Sequence, residues 1–177
     1  MDLSLPIDVV ENISEKDFKE KYFDPQIPVV IKGLTNGTFA GKNWSLDYFK
    51  RTMGHHTVPV YDNRNPNKGS AFTQADLQMK FGEFLDEIRK EGGNNIRMFL
   101  FDLFKLNPEL SKEFPCPDLA SGILGKLGRM FFAGKNTTVR IHYDIDVSNV
   151  FHTHFGGKKR VVLFSPAYNS VLASKLK

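Results

Sequence analysis

The chain has 177 residues, 41% hydrophobic and 12% aromatic, which suffices for one domain with a substantial core, taken here as residues 1–177. Lys and Arg number 24 against 20 Asp and Glu, and this excess is scattered; its densest cluster, Lys158-Lys159-Arg160, is too short to track a phosphate backbone, which argues against a nucleic-acid partner. No apolar run approaches the roughly 20 residues that cross a bilayer, and the first residues lack the basic and apolar regions of a signal peptide, so a membrane location is excluded and the cytoplasm is expected.

Ser14 before Glu15-Lys16-Asp17 marks a helix N-terminus, with Phe18 and Tyr22 on one face. Pro28-Val29-Val30-Ile31, closed by Lys32-Gly33, predicts a buried strand entering a turn. Ser45 caps a second helix whose face is Leu46, Phe49 and Met53, and Gly54 stands where a left-handed terminal residue would sit. Val58-Pro59-Val60-Tyr61 predicts an edge strand, since Pro59 cannot donate to a ladder. Residues 62–70 are polar and turn-rich and predict an exposed loop. Phe81, Phe84, Leu85 and Ile88 predict a third amphipathic helix, ended by Gly92-Gly93.

The apolar run 96–104 fits a buried strand or helix, and Pro108, Pro115 and Pro117 divide the next stretch of chain into short pieces. Cys116, between two of these prolines, cannot close an internal disulfide, in keeping with a reducing compartment. Four strands are predicted at 129–132, 137–142, 150–155 and 160–164, separated by Gly, Asn and Asp. Residues 1–128 thus form a helical and strand-bearing part and 129–177 the first core strands of a β-sandwich or jelly roll.

The chemistry concentrates in this second part. His142 and Asp144 are two apart, so on a strand both side chains share a face, one offering an imidazole nitrogen and the other a hard carboxylate. With a distant histidine they would make the facial triad of non-haem Fe(II) oxygenases; an exposed loop pair or a local hydrogen bond is the plainer reading of the tripeptide alone. Lys159, where a turn feeds an apolar strand, can reach into a barrel and pair with the distal carboxylate of 2-oxoglutarate, while Lys158 reads as a solvated turn residue.

The run His142-Tyr143-Asp144, then Asn149-Val150-Phe151, Gly157-Lys158-Lys159-Arg160 and Leu163-Phe164-Ser165-Pro166 resembles the core of the cupin-like, JmjC-type Fe(II)- and 2-oxoglutarate-dependent oxygenases, including the asparaginyl hydroxylase that modifies hypoxia-inducible factor. Pro28 to Gly33, Trp44-Ser45-Leu46-Asp47-Tyr48-Phe49 and Met79-Lys80-Phe81-Gly82-Glu83-Phe84-Leu85 extend the resemblance upstream in the same order. It implies a mainly β fold with flanking helices (α+β), a double-stranded β-helix of cupin type that is incomplete in this chain. It implies that His142 and Asp144 bind Fe(II), that Lys159 holds the 2-oxoglutarate carboxylate, and that Asn149 helps line the cosubstrate pocket.

The chain departs from the family pattern in places. Val139 stands where the assisting hydroxyl is expected, so Thr138 serves if the strand shifts by one, and Phe99 replaces a cosubstrate-reaching tyrosine. The third ligand would be a histidine beyond the lysine-bearing strand; the histidines here are His55, His56, His142, His152 and His154, and none occupies that position. His152 and His154 alternate on one strand as substitute ligands, and His55 and His56 read as surface loop. The expectation is a hydroxylase of a protein or small-molecule substrate whose natural product is longer, or which dimerises or rearranges across an open sheet edge. The alternatives are a non-catalytic cupin-like binding module, a truncated inactive form, and a cupin of another metal-dependent class.

Overall fold

The computed structural model describes residues 5–62, 64, 74–91, 95–120, 128–142 and 149–175. Ser14 opens the first helix through its own hydroxyl, which accepts the Asp17 amide at 3.0 Å; α1 (Glu15–Phe18) continues into a π-helical turn, Lys19–Phe23, that buries Tyr22. Tyr22 Oη donates to Asp8 Oδ2 at 3.2 Å and so ties this turn to β1 (Asp8–Glu11), which pairs in parallel with β2 (Val29–Lys32). The expectation of a buried strand is corrected here. Along β2 residues alternate half-buried and exposed, with Val30 47% exposed, because a two-stranded ribbon packs through one face. Gly33 then turns the chain at φ 78°, a left-handed conformation that glycine adopts at no steric cost.

The core forms where two helices cover one face of a sheet. Thr38 caps α2 (Phe39–Asn43), and Ser45 caps α3 (Leu46–Met53) by accepting the Tyr48 amide at 3.1 Å. Phe81, Phe84, Leu85 and Ile88, at the predicted spacing, are buried on α4 (Phe81–Arg89) and join Phe49 and Met53 in a single apolar cluster. Gly54 is right-handed at φ −58°, not left-handed as its position suggests. Its small size serves packing: the Gly82 amide donates to Gly54 O at 2.9 Å, and a Cβ on Gly54 would come within 3.3 Å of Gly82 Cα.

The sheet contains β3 (Thr57–Asp62), β4 (Leu77–Lys80), β5 (Ile96–Phe101) and β6 (Met130–Ala133), antiparallel throughout in the order β4-β3-β5-β6. Contrary to expectation, Pro59 lies on an interior strand. The physical reason is stagger: β4 pairs with Thr57 to Val60 and β5 with Tyr61 and Asp62, so Pro59 stands where β3 has a ladder on one side alone. Val58, Val60, Ile96, Met98 and Phe132 point into the core, and a register shift between Met98 and Phe101 turns Phe101 back toward it. Tyr61, Arg97, Phe99, Phe131 and Ala133 occupy the opposite face.

Beyond β5 the prolines act as expected and leave short pieces: α5 (Leu103–Leu106), α6 (Leu110–Glu113) and a 3-10 turn at Asp118–Ala120. Glu113 reaches across to the first helices, accepting from Trp44 Nε1 at 2.7 Å and from Tyr48 Oη at 2.5 Å. Most of the loop predicted at 62–70, and the Gly92-Gly93 stop, lie outside the described residues.

The C-terminal part corrects three strand assignments. Segment 129–132 is realised as β6, but 137–142, 150–155 and 160–164 carry no ladder in the described residues. Extended backbone becomes a strand only with a hydrogen-bonding neighbour, and among the described residues these segments find none: Val139, Val150, Val161, Val162 and Leu163 are all exposed. Segment 150–155 keeps its period of two, with Phe151, Thr153 and Phe155 half-buried, and is held by rings instead: Phe155 lies 4.8 Å from Trp44 and 5.2 Å from Phe114. The chain closes on α7 (Asn169–Lys175), and no described helix is long and apolar enough to cross a membrane.

Candidate functional site

The candidate residues lie in two places: on the outer face of the sheet, and on the extended chain after β6. Beyond β6 a turn returns the chain, with the Gly134 amide donating to Ile96 O at 3.3 Å and the Thr137 amide to Gly134 O at 3.3 Å. His142 comes next on exposed, irregular chain, and its Nδ1 lies 2.7 Å from the carbonyl oxygen of Arg140. A carbonyl only accepts, so Nδ1 is the donor in this contact, and in the neutral ring Nε2 would then carry the lone pair through which a histidine can ligate a metal. Asp144, its expected companion, lies outside the described residues.

Thr138 and Asn149 are exposed. Lys159 Nζ lies 3.4 Å from Nδ1 of His152, a neighbour that sequence spacing did not suggest. Desolvation holds the Lys159 ammonium below the ordinary lysine range. His152 is held below the usual imidazole range first by desolvation, then by Lys159 and by His154, so the neutral ring is favoured. The rings of His152 and His154 are 6.3 Å apart, and both residues are on the exposed side of their alternating segment. The rings of His55 and His56 lie 4.1 Å apart, tilted by 37°, in the turn after α3.

The outer face of the sheet carries a cluster missed at the sequence level. Tyr61 is opposite Arg97 in the β3–β5 ladder, its ring 4.1 Å from that of Phe99, and the Arg97 guanidinium lies over Phe99 at 4.3 Å. Burial lowers the Arg97 pKa. The signal that could have found it is a charged residue alternating with Ile96 and Met98 inside an apolar run.

Among the described residues no three His, Cys, Asp or Glu side chains gather as a metal would need. His142 is suited to be one ligand, but the described residues do not complete a metal centre.

A family model for the cupin-like domain matches residues 15–176. The chain belongs to this cupin-like, JmjC-type family. It is 28% identical over 164 residues to lysine-specific demethylase 8 of Xenopus tropicalis, covering 87% of this chain and 35% of that protein. It is also 25% identical over 165 residues to lysine-specific demethylase JMJ21 of Arabidopsis thaliana, covering 88% of this chain and 16% of that protein. With tRNA wybutosine-synthesizing protein 5 of Gallus gallus it shares 24% identity over 177 residues, 89% of this chain and 54% of that protein. The chain therefore spans about a third of the length of the first of these relatives.

Proposed function

We propose that this chain carries part of the active centre of an Fe(II)- and 2-oxoglutarate-dependent oxygenase, built on a jelly roll and acting as a hydroxylase of a protein or small-molecule substrate. The observation that carries this reading is the placement of His142: an imidazole whose Nδ1 is held by a backbone carbonyl, two residues before a carboxylate, in a chain of the cupin-like, JmjC-type family. The relatives named as demethylases accord with it, since removal of an N-methyl group and hydroxylation both begin by oxidising a C–H bond.

In this reading His142 and Asp144 hold the metal, and Lys159 meets the far carboxylate of 2-oxoglutarate as a point charge, with Thr138 and Asn149 beside it. Iron, when bound, supplies dioxygen activation coupled to loss of carbon dioxide from the cosubstrate. The protein's own contribution is to orient the imidazole through Arg140 O, to fix the cosubstrate's charged end and to exclude water. A binding module without turnover is the second reading, favoured by Phe99, whose ring is engaged by Tyr61 and Arg97 and cannot donate a hydrogen bond to a cosubstrate.

Anaerobic calorimetric titration with Fe(II) separates the two. One equivalent is expected to bind, with affinity reduced roughly tenfold or more by His142→Ala and by Asp144→Ala. Equal binding by the wild-type and substituted chains would remove these residues from the metal site.

A further inference from the structure

A groove opens between the start of α1 and the proline-rich chain that follows α6. It encloses about 440 Å3, and Ile13, Leu34, Phe114, Pro117 and Leu119, all half-buried, form its apolar lining. The charged residues on its wall are Glu15 and Asp118, both exposed, and neither side chain has a hydrogen-bond or ion-pair partner among the described residues. No basic residue lines it among the described residues. The chain as a whole carries a formal charge of +4, so an apolar groove with two unpaired carboxylates stands apart from its surroundings and suits an occupant that is cationic and apolar together.

The chain itself contains a segment of that chemistry. Lys158-Lys159-Arg160 runs directly into Val161, Val162 and Leu163, which are 55%, 51% and 61% exposed and belong to no ladder among the described residues. Lys159 is engaged by His152, whereas Lys158 and Arg160 have no partner among the described residues, so two free cations stand against two free carboxylates. The segment also starts beside the groove. Phe155 packs at 5.2 Å on Phe114, a residue of the groove wall, and Gly156-Gly157 then bend the chain, Gly157 at φ 79° and both with open space around them. A segment that leaves the body next to the groove it matches can be exchanged about a two-fold axis, because each copy's groove then lies close to the other's segment and the contact closes on itself.

We propose that this groove is a self-association site that seats residues 158–163 of a second copy, with Lys158 and Arg160 meeting Glu15 and Asp118 while Val161, Val162 and Leu163 cover the apolar lining. A two-fold dimer forms each of these contacts twice. An unrelated basic peptide offers the same charges, but the chain's own segment is the one that the fold places at the groove's edge. Salt weakens the charged part of the contact and leaves the apolar part in force. The association needs neither metal nor cosubstrate, and Lys159 keeps its contact with His152.

Sedimentation equilibrium of the metal-free chain tests this as mass against concentration. A reversible monomer–dimer equilibrium is expected, weakened by added sodium chloride. Arg160→Glu and Asp118→Arg should each weaken the dimer roughly tenfold or more, since each sets like charges against one another at both copies of the contact. An equimolar mixture of the two variants should dimerise again: the unaltered cationic segment of one meets the unaltered acidic groove of the other, and the two reversed charges also match. That recovery separates a lost contact from a misfolded variant. A wild type that is monomeric at every concentration would overturn the proposal, whether the groove then takes the chain's own segment or an unrelated basic peptide. So would single variants that dimerise as the wild type does, or a mixture that stays monomeric.

Discussion

Glu113 shows how much one carboxylate can organise. It accepts from both Trp44 and Tyr48 and thereby holds α6 against the first helices, in a place where Trp44 also packs on Phe155. Glu113→Ala would strand both donors and is expected to lower unfolding stability by about 2–4 kcal/mol in urea titration, with a smaller loss for Glu113→Gln, which keeps one acceptor. Tyr48 makes the same contact visible in pH. Its pKa is pushed up to about 12, by burial first and then by the bond to Glu113. A group that holds its proton more tightly when folded stabilises fully below its ordinary value of 10.0, and that stability is lost as pH rises toward 12; Tyr48→Phe should flatten this fall in a denaturation series. At His152 the sign is opposite. Its folded-state pKa lies below 6.5, so its neutral form is favoured and its contribution is lost as the solution is acidified. Proton NMR of the ring should give a midpoint below that value, moved up in part by Lys159→Ala, since desolvation remains the larger cause.

At the scale of elements, local signals were legible where the physics is local. Ser14 and Ser45 cap the helices they were expected to cap, and the apolar spacing of Phe81, Phe84, Leu85 and Ile88 places α4 on the core. Phe84, fully buried in that cluster, should cost about 3–5 kcal/mol when replaced by alanine, read as a lower urea midpoint at unchanged slope. What failed was pairing. Residues 150–155 alternate as a strand should, yet alternation says which side chains share a face and nothing about a neighbouring backbone to bond with. Pro59 failed for the complementary reason, because only the stagger of β4 and β5 makes its position tolerable inside a sheet. Hydrogen exchange should record this division: amides of β3 and β5 are expected to be protected, and those of 160–164 to exchange within the dead time, whereas slow exchange there would reveal a ladder.

The molecule as a whole is a sheet with two unlike faces. One is sealed by α3 and α4; the other carries Tyr61, Arg97 and Phe99. His-x-Asp is contiguous and so visible in the sequence as a candidate metal motif, and the family match over 15–176 supports the context in which it was read. The Arg97 cluster was not visible, because its buried Nε exists only once the registers of β3, β5 and β6 enclose it. The central claim is that His142 belongs to an iron centre that takes 2-oxoglutarate. Its most direct test is an anaerobic Fe(II) titration with and without 2-oxoglutarate, monitored for the weak visible charge-transfer band of the ternary complex. A band that requires both components and disappears in His142→Ala is the predicted result; no band, or one that survives the substitution, would contradict it.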